Sequence, residues 1–208
     1  MSRLIRCTLL GVGAMRSPRY RPAGMLVRYG RRRIMFDGGP GAELPAYAEA
    51  WLVCDERAEL ASGIRRLAAE HGLEPVVGAL AIDDLRVQPH PVAHTGHATY
   101  GYLVEAHGRR VVWAPEFWEF PQWAAGADLL FADAAGWNRP IRFRGGLGGH
   151  ACVMDVAGAA RRCGVRRLVF AHIGRPSIRA QDAGLPPPYG TWGVQGRTYA
   201  VKTADRLG

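Results

Sequence analysis

Lysine is almost absent from these 208 residues: Lys202 stands alone against 26 arginines, so the net charge of +9 is carried by guanidinium groups. The planar fork of arginine suits phosphate, and the clusters Arg31-Arg32-Arg33, Arg139/Arg142/Arg144 and Arg175/Arg179 could draw nucleic acid or a phosphorylated metabolite. A GC-rich coding bias yields the same composition, which makes a solvated basic surface the simpler reading. Long apolar runs are missing as well. No stretch approaches the roughly 18 residues of a membrane span, and Met1-Ser2-Arg3-Leu4-Ile5-Arg6 leads into a strand-like pattern and not a signal-peptide core. A cytoplasmic, membrane-free protein is the expectation. The cysteines Cys7, Cys54, Cys152 and Cys163 form no CxxC pair and lie in apolar segments, the pattern of reduced packing thiols and not of a disulfide frame or zinc knuckle.

What is present is enough for one globular domain, residues 1–208, with 48% hydrophobic content and no internal repeat. Alternation predicts a strand at Leu4 to Leu10, a loop from Gly11 to Gly24, and a hairpin of Met25 to Tyr29 and Arg32 to Phe36 around Gly30. A helix over Ala42 to Ala50, a strand from Trp51 to Cys54 and a helix over Arg57 to His71 follow. Strands are expected at Val76 to Leu80, Leu85 to Val87, Val92 to His94, Tyr100 to Glu105 and Arg109 to Trp113. The second half then alternates: helix Glu119 to Ala125, strand Asp128 to Ala132, helix Val153 to Cys163, strand Arg167 to Ala171. A loop-rich tail with Pro186-Pro187-Pro188 closes on a strand at Thr198 to Val201. The order implies an α/β (α+β) chain in which two sheets pack together with helices outside, a four-layer αββα arrangement.

Asp37, Glu116, Asp133 and His172 stand directly after predicted strands, where α/β proteins build their sites. His94, His97 and His150 lie in nearby loops. Carboxylates and imidazoles so placed are donors that zinc, manganese or iron accept.

Leu9-Leu10-Gly11-Val12-Gly13-Ala14, Arg21-Pro22-Ala23-Gly24 and Phe36-Asp37-Gly38-Gly39-Pro40-Gly41 resemble the opening of metallo-β-lactamase-fold hydrolases, above all the ribonuclease Z and cyclic-phosphodiesterase branch. His94 before Tyr100-Gly101-Tyr102, Trp113-Ala114-Pro115-Glu116, Gly149-His150-Ala151 and Phe170-Ala171-His172 continue the likeness in order. The resemblance implies a four-layer αββα sandwich, with Asp37 a structural carboxylate and His94 a metal ligand. Glu116 falls in the place of a metal-bridging aspartate, and His172 in that of the last ligand. It makes His150 the group that protonates the leaving oxygen or holds the phosphate.

The pattern breaks after Cys54. Asp55, Arg57, Glu59 and Leu60 occupy the positions of a His-x-His-x-Asp-His motif, so three imidazoles are gone. Arg57 cannot ligate and Leu60 has no donor atom. One expectation is a single divalent metal, zinc before manganese or iron, held by Glu116, His172 and Glu59 or His94, with Asp55 a further oxygen ligand and Glu59 also serving catalysis. It would hydrolyse a small-molecule or nucleic-acid phosphodiester, or another ester. The other is a metal-free pseudoenzyme that binds nucleic acid or an anionic ligand in an arginine-lined cleft, with Arg57 buried among Glu56, Glu59 and Glu116. Arg175 and Trp118 are candidate substrate contacts. The aromatic residues around Glu116 offer a surface for a homodimer.

Overall fold

The computed structural model describes residues 4–202; the ends of the expected 1–208 domain lie outside the described residues. Its elements run β1 (Leu4–Gly11), β2 (Gly24–Tyr29), β3 (Arg32–Asp37), β4 (Ala50–Leu52), α1 (Ala61–Glu70), β5 (Pro75–Val76), β6 (Leu80–Ile82), β7 (Leu85–Pro91), β8 (Tyr100–Ala106) and β9 (Arg109–Ala114). There follow β10 (Leu129–Ala134), β11 (Ile141–Arg142), β12 (Gly149–His150), α2 (Val153–Arg162), β13 (Leu168–Ile173), α3 (Arg175–Asp182), β14 (Thr191–Trp192) and β15 (Thr198–Lys202).

One sheet has the order β15-β1-β2-β3-β4-β5 and the other β14-β13-β10-β9-β8-β7-β6. The period of two sorts the first sheet's side chains onto its two faces. Ile5, Cys7, Leu9, Met25, Val27, Ile34, Phe36 and Leu52 join the core shared with the second sheet. Leu26, Met35, Trp51 and Val53, each one residue out of step, join Ile64 and Ala68 of α1 in a separate cluster on the outer face. Strands β10 and β13 of the second sheet are buried on both faces, because α2 places Val153, Val156, Ala157 and Ala160 against them. The result is the αββα sandwich.

Several boundaries depart from expectation. No helix forms over 42–50: Pro45 interrupts it by removing a donor, and the segment crosses the surface as turns with Leu44 and Ala48 buried. The helix expected from Arg57 starts at Ala61, because residues 55–60 are consumed by two turns, Ala58 N–H to Asp55 C=O and Ala61 N–H to Ala58 C=O. Residues 92–94 form no strand. β7 ends at Pro91, and Pro89 and Pro91 are tolerated there because residues 88–91 pair with β8 alone. At 119–125 only a short 3₁₀ turn, Gln122–Ala124, follows Pro121. Helix α3, with Pro176 in its first turn, forms where the sequence had read as loop.

Candidate active site

Four polar groups converge where strands β9, β10 and β13 end and the β11–β12 hairpin returns. Glu116 lies at the centre, two residues past β9, with a quarter of its side chain exposed. Its Oε2 is 3.2 Å from His94 Nε2 and its Oε1 is 3.1 Å from His172 Nδ1. His94, in the loop after β7, donates through Nδ1 to the carbonyl of Gly149 at 2.9 Å, which fixes its ring between hairpin and carboxylate.

His150 is anchored from behind. Its Nδ1 is 2.8 Å from Oδ2 of Asp133, a fully buried carboxylate that also accepts from the backbone N–H groups of Phe117 (3.1 Å) and Ala135 (2.8 Å). That leaves Nε2 of His150 as the ring nitrogen without a protein partner among the described residues. The ring stacks on His172 with centroids 4.9 Å apart and lies 4.6 Å from His94. Phe143, on the hairpin, covers both His94 (5.3 Å) and His150 (5.4 Å).

Backbone strain marks the same place. In the β10–β13 pairing, Ala132 faces Phe170 but Ala134 faces Ile173, so β13 carries one extra residue opposite Asp133. A bulge of this kind re-aims side chains, and His172 takes a left-handed φ of 56° within it. Asp37 shares that conformation at φ 48°. Its carboxylate accepts from Cys54 N–H and Trp113 Nε1–H, both at 2.7 Å, and its carbonyl accepts from Trp51 Nε1–H at 2.8 Å. The structural role expected of Asp37 has a geometric basis: it ties the ends of β3, β4 and β9 together. Burial pushes its carboxyl up to about 6, against the Cys54 and Trp113 hydrogen bonds that favour ionisation.

The charges of the cluster are interdependent. Burial opposes the ionised form of Glu116, yet the surrounding imidazoles, His172 first, hold it well below the usual carboxylate range. Burial likewise works against charge on His150 and His94, but Asp133 and Glu116 respectively lift these two above the ordinary histidine value. For His172 burial wins, and the neutral ring is favoured. The stacked pair therefore holds one imidazole inclined to keep its proton and one inclined to lack it.

The half of the site drawn from residues 55–60 is different. Asp55 is buried, but its Oδ2 is 2.8 Å from His97 Nε2 and its Oδ1 accepts from Arg57 N–H at 2.8 Å. Arg57, Glu56 and Glu59 are exposed. The expected burial of Arg57 among carboxylates is not found, because the turn held by Asp55 sends residues 57 and 59 outward while Ala58 and Leu60 face in. Glu59 accordingly stands apart from the cluster. Trp118 lies behind the hairpin beneath Arg142, 5.3 Å from its guanidinium carbon, and exposed Arg175 opens α3 three residues past His172. Of the aromatic patch, Trp113 and Phe117 are core residues, while Trp118, Phe120 and Trp123 are partly buried.

Among the described residues no three His, Cys, Asp or Glu side chains stand so that they could hold a metal ion. The donor chemistry agrees: both imidazoles nearest Glu116 turn a nitrogen toward its oxygens, Asp55 is engaged by His97, and the remaining motif positions offer a guanidinium, an exposed carboxylate and a hydrocarbon. A dinuclear centre does not fit this chain. Sequence reasoning had marked Asp133 only as a strand-end carboxylate; its pairing with His150, that of Asp55 with His97, and the cover by Phe143 had no local signal.

Two packed sheets flanked by helices, with histidines and carboxylates at the strand ends, define a protein of the metallo-β-lactamase fold. Residues 42–173 match the β-lactamase superfamily domain, and the chain belongs to that family. No protein of curated function matches the sequence. Among solved structures, a diphosphatase of the PhnP family superposes with a TM-score of 0.75 at 16% identity, covering 98% of this chain and 99% of that one. Human tRNase Z, short form, gives 0.67 at 12%, covering 94% and 98%. Zn²⁺-bound PqqB from Methylobacterium extorquens gives 0.67 at 15%, covering 95% and 100%. These likenesses show the metallo-β-lactamase fold, in agreement with the family match over residues 42–173. No helix of the described residues is long and apolar enough to cross a membrane.

Proposed function

We propose that this chain hydrolyses a phosphodiester or another ester, with His150 and His172 as its acid and base. The observation that carries this reading is the Asp133–His150 pair, a fully buried carboxylate 2.8 Å from one ring nitrogen. A carboxylate so placed fixes the tautomer and aims the opposite nitrogen, Nε2, at the cluster. His172 faces Glu116 through Nδ1, which leaves its Nε2 to accept a proton. In the reaction a water oxygen bonds to phosphorus or to the acyl carbon while its proton passes to Nε2 of His172. The bond to the leaving oxygen breaks as Nε2 of His150 gives up its proton, and exchange with solvent restores both rings. Glu116 positions His94 and His172. Arg175, at the start of α3, and Trp118, behind the hairpin, are the proposed substrate contacts.

A divalent metal, zinc before manganese or iron, would be held by His94, Glu116 and His172 and would supply an activated water. The proposed reaction uses the chain's own groups alone. Protein purified without chelator is expected to hold less than about a tenth of an equivalent of transition metal. It is expected to turn over bis(p-nitrophenyl) phosphate or p-nitrophenyl acetate, and His150→Ala to lower that turnover by about 10²- to 10⁴-fold. Absence of turnover on both esters, or turnover removed by chelator and restored by zinc, would overturn this reading.

A further inference from the structure

Beside Glu116 and His172 lies a cavity of about 60 Å³, bounded by β3, the 54–60 segment and the loop after β1. Met15, Ala58, Leu60 and Ile64 supply its hydrocarbon wall. Ala58 and Leu60 are the inward-facing partners of exposed Arg57 and Glu59, so beyond Asp55 the segment that departs from the family's motif turns carbon, and not donor atoms, toward the reacting groups.

The carboxylates on the remaining wall are already engaged, and His172 meets Glu116 through Nδ1. Glu116 faces His94 and His172, Asp55 faces His97, and Asp37 accepts from Cys54 N–H and Trp113 Nε1–H. Three unpartnered carboxylates would select an ammonium group; these three are held by protein donors, and the wall left for a guest is mostly carbon. Size then sets the guest. An apolar cavity of ~150 Å³ takes benzene, six carbons, so about 60 Å³ takes two or three.

We propose that this cavity is a specificity pocket for a neutral alkyl group of two or three carbons, carried by the ester whose reacting centre lies at Glu116 and His172. The inference rests on the ester-hydrolase reading for what the alkyl group is attached to. The pocket itself is tested without turnover.

Straight-chain alcohols from methanol to pentanol are titrated into the protein while the methyl resonances of Leu60 and Ile64 are followed. Affinity is expected to rise about fourfold per methylene up to propanol and to stop rising by pentanol. Leu60→Ala is expected to move the optimum one or two carbons longer, and Ala58→Leu, which fills the space without making a hole, to remove the length dependence. Propylammonium is expected to bind no more tightly than propanol. Flat dependence on chain length, or tighter binding of the ammonium, would overturn the pocket. With p-nitrophenyl esters from acetate to hexanoate, kcat/KM is expected to follow the same optimum. Length-dependent alcohol binding without ester turnover would sink the hydrolase reading and leave the pocket standing; turnover indifferent to chain length would do the reverse.

Discussion

The two halves of the site have been treated differently by the same fold. At the ends of β9, β10 and β13 the polar groups are held in a connected network, Asp133 to His150 and His94 and His172 to Glu116, on a strained backbone. After β4 the corresponding segment keeps its turn but sends Glu56, Arg57 and Glu59 outward and its hydrocarbon inward. The difference teaches that packing and chemistry are separable in this architecture. Asp37 and Trp113 hold the two halves in register whichever side chains the 55–60 turn presents.

The largest effect is expected from the wired half. His150→Ala should lower kcat by about 10²- to 10⁴-fold, the range of a positioned acid or base, with the fold unchanged by circular dichroism. Asp133→Asn should cost less but alter the pH profile, since it unfixes the ring and leaves Nε2 in place. Equal losses with an unaltered profile would show that Asp133 serves structure alone.

The thiols ask whether the first half lost packing along with its polar groups. Burial pushes Cys7 up to about 12 and Cys152 to about 11, and raises Cys54 well above its ordinary value. Thiolates do the alkylating, so at pH 8.5 these three should react roughly 10²- to 10³-fold more slowly than partly exposed Cys163 until denaturant is added. The sign for stability follows. A thiol raised in the folded state contributes stability below about pH 9 that is lost as pH climbs toward 12, so unfolding should set in on the alkaline side. Fast native labelling of Cys54 would mean that the 54–60 segment is loose.

Glu116→Ala should cost about 1 to 3 kcal/mol by leaving two buried imidazoles without their acceptor, read as a shift in the urea midpoint, and Glu116→Gln appreciably less. The smallest effects belong to the altered segment. Arg57→Ala and Glu59→Ala should each change stability by no more than about 0.5 kcal/mol and leave kcat within twofold, because both side chains are exposed. A large loss for Arg57→Ala would restore the buried ion-pair network that the turn geometry argues against.

Much of this was legible in advance. Alternation at Leu4 to Leu10 and Met25 to Phe36 was enough to divide inner from outer residues, and the strand-end positions of Asp37, Glu116, Asp133 and His172 marked the site. Pro45 is the local sign against a helix at 42–50. The outward turn of Arg57 and Glu59 had no such sign, since a turn held by Asp55 follows neither a helical nor a strand period.

The sequence by itself determined the two-sheet sandwich, which residues fill its core and which histidines and carboxylates are available, because these follow from short-range periodicity and from side-chain chemistry. Only the tertiary structure decided which of them meet. Asp133 and His150 are 17 residues apart, Asp55 and His97 are 42 apart, and His94 and Gly149 are 55 apart. Hydrogen bonds of 2.8 to 2.9 Å over such separations are set by sheet order and by the bulge in β13, and no local pattern encodes them.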